Sequence, residues 1–177
     1  MIIAICALVL TSYQISTIRD NAQRQMRAYV YITMMPPFKY PLQNPDRLGL
    51  GFEIKNSGLT WARNLTIRKA TIPRDLTAQY DPWSRAKWDA TEFPMVLGPN
   101  QSLKLQLTEI WLREMPAITE GKLGFDFAIW ITYLDTLTDP PVTHQTRLVQ
   151  RFSADKDNGT SFTHVGANNC ADDDCPK

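Results

Sequence analysis

The feature that most constrains this chain is a change of hydrophobic period near Ala28. Before it, apolar residues recur at helical spacing; after it, they alternate. From Ala28 to Phe152 the alternation returns in short runs broken by Pro, Gly and Asn. Leu48, Leu50, Phe52 and Ile54 fall on one face of the run Leu48–Asn56. Leu65 and Ile67 do the same in Ala62–Ile72, and Leu103, Leu105 and Leu107 in Ser102–Ile110. The longest run, Lys122–Asp135, turns Phe125, Phe127, Ile129, Ile131 and Tyr133 to one side. Ala28–Met34 and Val142–Phe152 complete six strands, with room for a seventh near Thr91–Val96. Asn56–Gly58, Leu97–Gln101 and Thr138–Pro141 are turn signals. Short, half-polar strands of this kind predict an all-β, antiparallel sandwich of immunoglobulin-like size over residues 28–152. A core of that size forms without disulfides.

The N-terminal part reads differently. Met1–Ile18 carries no charged side chain, and Met1–Leu10 is wholly apolar. Eighteen helical residues span roughly 27 Å, just short of a hydrocarbon core of about 30 Å. A signal peptide would show a basic start and a small-residue cleavage site, and neither is present. Cys6 lacks the preceding small residue of a lipoprotein site. A core helix is the other alternative. The reading preferred is a membrane anchor over residues 1–18, with the lipid bilayer as its partner and a start that is clipped. Ile15, Ile18, Ala22 and Met26 continue the helical spacing, so residues 19–27 form a stalk. Arg19, Arg24 and Arg27 against Asp20 favour a cytoplasmic body over a periplasmic one.

Residues 153–177 are rich in Asp, Asn, Gly and Ser and show no apolar period, which predicts a flexible acidic tail. Within it, Cys170 and Cys175 bracket three aspartates. One thiol pair with His164 nearby is a poor zinc set, since structural sites want two pairs. A local disulfide between Cys170 and Cys175 is the better reading if the tail lies outside the cytoplasm.

Little else points to chemistry. Two histidines leave small scope for a catalytic or metal centre, and no G-x-S-x-G or phosphate-cradling glycine loop is present. His144, at the start of a strand, reads as a surface or capping residue. Asp75, Asp81, Asp135 and Asp139 show no spacing that ties two of them into an acid–base pair. No catalytic residue, metal or cofactor is expected. With 19 basic against 18 acidic residues, the chain lacks the excess cation that nucleic-acid binding needs. The long segment Pro73–Glu92 holds the candidate partner contact, Tyr80, Trp83 and Trp88. Aromatics there either meet a partner, rest at a membrane surface or fold back on the sandwich.

Five short stretches carry a resemblance: Arg27-Ala28-Tyr29-Val30, Lys55–Leu65 around Asn56-Ser57-Gly58, Leu97–Gln101, Tyr133-Leu134-Asp135, and His144-Gln145-Thr146. In these the chain resembles small uncharacterised bacterial single-pass membrane-anchored proteins with an immunoglobulin-like β-sandwich domain. The resemblance covers about Ser16 to Phe152, and its motifs are turn and strand residues. It implies a single-pass protein of the bacterial inner membrane and lends no activity. The late hairpin departs from it, with the longer loop Thr136–Val142 in place of a glycine turn.

The function expected is a non-catalytic interaction or structural module that binds another protein near the membrane. The alternative is a small-ligand or envelope-glycan binding module lined by Trp83 and Trp88.

Overall fold

A computed structural model of the chain describes residues 2–39, 46–74, 82–137, 140–155, 159–165, 169–172 and 175. Helix α1 (Ile2–Met26) leads into strands β1 (Val30–Met34), β2 (Phe38–Lys39), β3 (Arg47–Asn56) and β4 (Ala62–Pro73). A short helix α2 (Pro82–Arg85) precedes β5 (Asp89–Leu97) and β6 (Ser102–Trp111). A single 3-10 turn and helix α3 (Met115–Thr119) then lead to β7 (Phe125–Asp135), β8 (Val142–Asp155), β9 (Gly159–His164) and β10 (Cys170–Ala171).

The strands form two antiparallel sheets. In the smaller, β3 is central, with β6 along one side and β1 and β2 along the other. In the larger the order is β5-β4-β7-β8, and β9 and β10 both pair with the outer side of β8. The alternation explains why the sheets face each other. Leu50, Phe52 and Ile54 of β3 and Phe127, Ile129 and Ile131 of β7 are buried in one common core. Burying such side chains is worth about 1.5–3 kcal/mol each, which drives the two faces together. The sandwich architecture expected from the sequence is therefore present.

The outer face of the larger sheet is covered as well. Ala70, Ile72, Ala128 and Val149 are buried there beneath Trp83, Ala86, Trp88 and Val165. This second layer is why β4, β7 and β8 carry Ala70, Ile72, Ala128 and Val149 among the polar residues of their outward side.

The described residues after Phe152 depart from the expectation of a flexible tail over 153–177. Strand β8 runs on to Asp155, β9 pairs with it from Asp155↔Gly159 to Gln150↔His164, and β10 pairs Cys170 with Arg147. Backbone pairing along an open sheet edge needs no apolar period, so composition does not reveal it. Phe162, the large apolar residue of β9, packs on Phe127 and Phe152.

Helix α1 is 25 residues long, roughly 37 Å of rise. Among the described residues no helix is long and apolar enough to cross a membrane. Thr11, Ser12, Gln14, Ser16 and Thr17 interrupt the apolar character of α1 after Leu10.

Candidate functional site at the foot of the helix

The five motif stretches are far apart in sequence and meet at one end of the sandwich, where the chain leaves α1. Asn56 is at the centre and fully buried. Its Oδ1 accepts from the Tyr29 N–H at 3.1 Å and the Gly58 N–H at 3.0 Å. Its Nδ2 donates to Thr60 O at 2.7 Å and Leu97 O at 3.0 Å. Its backbone N–H donates to Gln101 O, and its carbonyl accepts from the Asn100 N–H. One side chain thus satisfies four backbone groups from three chain segments, which is what a buried amide must do to offset its desolvation.

Gly58 serves the same junction. A Cβ on it would lie 2.1 Å from Arg27 O and 2.6 Å from Tyr29 N. Its role is close approach to the chain leaving the helix. Asn100 instead takes the left-handed conformation in its turn, with φ 59°.

Tyr133 closes the junction from the other sheet. Its hydroxyl donates to Ala28 O at 3.2 Å and accepts from the Val30 N–H at 3.4 Å. Burial pushes the hydroxyl pKa up, and the carboxylates of Asp172 and Asp135 push it the same way. Thr146 Oγ1 donates to Val30 O at 2.7 Å. Together these bonds hold residues 28–30 against both sheets.

His144 departs from its expected surface role. It is buried, stacked on Tyr133, and lies between two carboxylates. Its Nδ1 donates to Asp172 Oδ1 at 3.0 Å, and its Nε2 is 4.0 Å from Asp135 Oδ2. Asp135 also accepts from Thr60 Oγ1 and the Leu137 N–H, each at 3.1 Å. The second carboxylate comes from the tail: Asp172 also accepts from Arg27 Nη2 at 3.2 Å and from the Gln145 N–H at 3.3 Å. Sequence reading missed this group because Asp172 is 28 residues from His144. The pairing Tyr133↔His144 across the β7–β8 turn was the available signal.

Asp172 is delivered by a closed loop. Cys170 and Cys175 form a disulfide with Cα atoms 5.0 Å apart, and the Cys175 N–H donates to Asp172 O. Asp172 itself has φ 52°, a conformation that a short polar side chain tolerates.

The expected contact residues lie elsewhere, on the outer face of the larger sheet. Trp83 and Trp88 stack at 5.3 Å, and Trp88 meets Trp130 edge-on at 6.2 Å. The Arg147 guanidinium sits 5.6 Å from the Trp83 ring and 4.8 Å from Trp130, with Arg68 5.1 Å from Trp130. Both tryptophans are half-buried and cover the sheet. Tyr80, and with it Asp75, Asp81 and Asp139, lies outside the described residues. Bordered by Trp130, and by neither Trp83 nor Trp88, is an open depression of about 560 Å³, lined also by Thr132, Thr143, His144, Gln145 and Asp172 among others.

Fold and junction together define a helix followed by an antiparallel sandwich, joined through a buried polar network. The chain belongs to the family described as a domain of unknown function, DUF8453, whose profile matches residues 1–155. No curated protein matches the chain, and no solved structure does.

Proposed function

We propose that this chain is a non-catalytic, membrane-anchored module of immunoglobulin-like type that binds another protein near the membrane. One observation carries the reading. The motif residues are engaged in holding the chain that leaves α1 against both sheets, which suits a domain displayed in a fixed pose on a helix. Anchoring through residues 1–18 is supported by their lack of charge. It is also supported by Thr17, whose hydroxyl donates to Tyr13 O at 3.0 Å and so needs no water. Leu10, Tyr13, Ile15 and Ile18 are exposed along the same helix. The Cys170–Cys175 bond supports a body on the oxidising side of a bacterial inner membrane, against the cytoplasmic side that the stalk arginines favour.

The outer face at Trp83 and Trp88 is the contact proposed for the protein partner, because half-buried aromatics beside arginines are typical binding anchors. Pull-down of the full chain from mild detergent followed by mass spectrometry tests this. A reproducible partner that is lost in the Trp83→Ala, Trp88→Ala double variant supports it. A clean monomer, or a partner retained by a folded double variant, contradicts it.

The glycan alternative has one observation in its favour. The depression combines the Trp130 ring with the hydroxyls of Thr132 and Thr143 and the Gln145 amide. Saturation-transfer NMR with envelope-glycan fragments would show contacts at Trp130 if this reading holds.

A further inference from the structure

We infer that the foot of the helix is a recognition site for an extended acidic peptide, and that Cys170, Ala171 and Asp172 of this same chain occupy it. The receptor half consists of Arg27, His144 and the Gln145 backbone N–H, together with the outer side of β8. The ligand half is Cys170, Ala171 and Asp172, with Cys170 bonded to Cys175.

The receptor presents three donors to one carboxylate. Arg27 Nη2 is 3.2 Å from Asp172 Oδ2, while His144 Nδ1 and the Gln145 N–H are 3.0 and 3.3 Å from Oδ1. Guanidinium, imidazole and backbone amide converging on both oxygens is the arrangement by which charge-assisted bonds select a carboxylate. The Asp172 side chain is 7% exposed, so the group is held as a bound ligand is held. A second set of contacts reads the backbone. β10 adds to β8 as an antiparallel strand, Cys170 opposite Arg147 and Ala171 opposite Thr146. Strand addition to a sheet edge with one side chain in a specific pocket is a recurrent mode of peptide recognition. It favours a peptide over a free anion or a lipid headgroup, neither of which brings a strand.

The two halves also differ in where they stand in the chain. Arg27, His144 and Gln145 all fall within the family match over residues 1–155, whereas the loop that fills the site falls beyond it. The receptor residues thus lie in the stretch that the family profile covers, and the occupant lies outside that stretch. An acidic segment of a partner would enter by the same contacts once the loop is displaced. The inference rests on the reading of the chain as a protein-binding module, but at a place distinct from Trp83 and Trp88, so the two fail separately.

The test uses the full chain opened by Cys170→Ser, Cys175→Ser and Asp172→Asn. The probe is a synthetic, disulfide-closed peptide of residues 169–177. Isothermal titration follows binding, and the imidazole NMR signals of the two histidines report the site. The peptide is expected to bind the opened chain and shift the His144 signal. Binding should be ~10-fold weaker or more when Arg27→Gln is added, and absent for a peptide carrying Asp172→Asn. The wild-type chain, whose site is filled, should bind far more weakly. If the opened chain is misfolded, wild type carrying only Asp172→Asn replaces it. No binding to either variant overturns the inference. So does binding indifferent to Arg27→Gln, or anionic vesicles shifting His144 as the peptide does.

Discussion

The two polar and aromatic clusters of this molecule are built on opposite principles. At the foot of the helix, Asn56, Gly58, Tyr133 and His144 are buried, and each has a partner fixed by geometry. On the outer face, Trp83, Trp88, Trp130, Arg68 and Arg147 are half-buried and meet through ring stacking and cation–π contacts. The first cluster joins segments more than 100 residues apart, as the Val30–Tyr133 bond illustrates. The second covers a sheet that is already complete. Loss of a satisfied buried group leaves its partners stranded, whereas loss of a cover exposes apolar area in proportion to its size. The junction should therefore control global stability, and the cover should act more locally.

The sharpest way to break this contrast is Asn56→Ala. It strands four backbone groups at a fully buried position, and a loss of ~3–5 kcal/mol is expected in urea unfolding. A loss under 1 kcal/mol would remove the distinction. Gly58→Ala should follow at ~2–3 kcal/mol, since the added carbon would meet Arg27 O at 2.1 Å. The Trp83→Ala, Trp88→Ala pair should cost about 2 kcal/mol, less than Asn56 alone despite removing far more atoms. A larger loss would make the cover part of the core. Tyr133→Phe should cost ~1 kcal/mol at neutral pH, the usual net worth of a hydrogen bond.

Tyr133 also sharpens the contrast through pH. Its folded-state pKa is raised above that of an unfolded tyrosine, by burial first and by Asp172 and Asp135 next. The folded chain therefore holds this proton more tightly than the unfolded chain. The corresponding stability is present below about pH 10 and is lost as pH rises beyond it. Urea midpoints measured from pH 8 to 11 should fall more steeply for wild type than for Tyr133→Phe. Equal slopes would mean that the hydroxyl is not buried in solution.

The sequence made the sandwich legible where side chains alternate against water. β3, β6 and β7 each carry three or more apolar residues at spacing two, and those faces form the core. The end of the chain was illegible for a physical reason. β9 and β10 are held by backbone bonds to β8, and the burial pattern of β9 leaves most of its side chains in solvent. Composition there says Asp, Asn and Gly, and so says disorder. His144 reads as a surface residue because its partner Asp172 lies 28 residues on, after two further strands. The motif turns were legible as turns, but their shared destination was not. Gly58 illustrates this: a turn glycine suggests positive φ, whereas its requirement comes from Arg27 and Tyr29, on the far side of β1 and β3 in the sequence. For Trp83 and Trp88, spacing alone could not separate packing from partner contact, and the structure shows them packed while leaving part of each ring open.

The central claim is that the junction below α1 is the most firmly held part of the fold. Native-state amide hydrogen exchange measures it directly. The amides of Tyr29, Val30 and Gly58, which donate to Asn56 and Tyr133, should exchange only through global unfolding, with the same free energy as the β7 amides. Exchange of those three amides by local opening, well below the global free energy, while the amides of Ser84 to Trp88 stay protected, would contradict it.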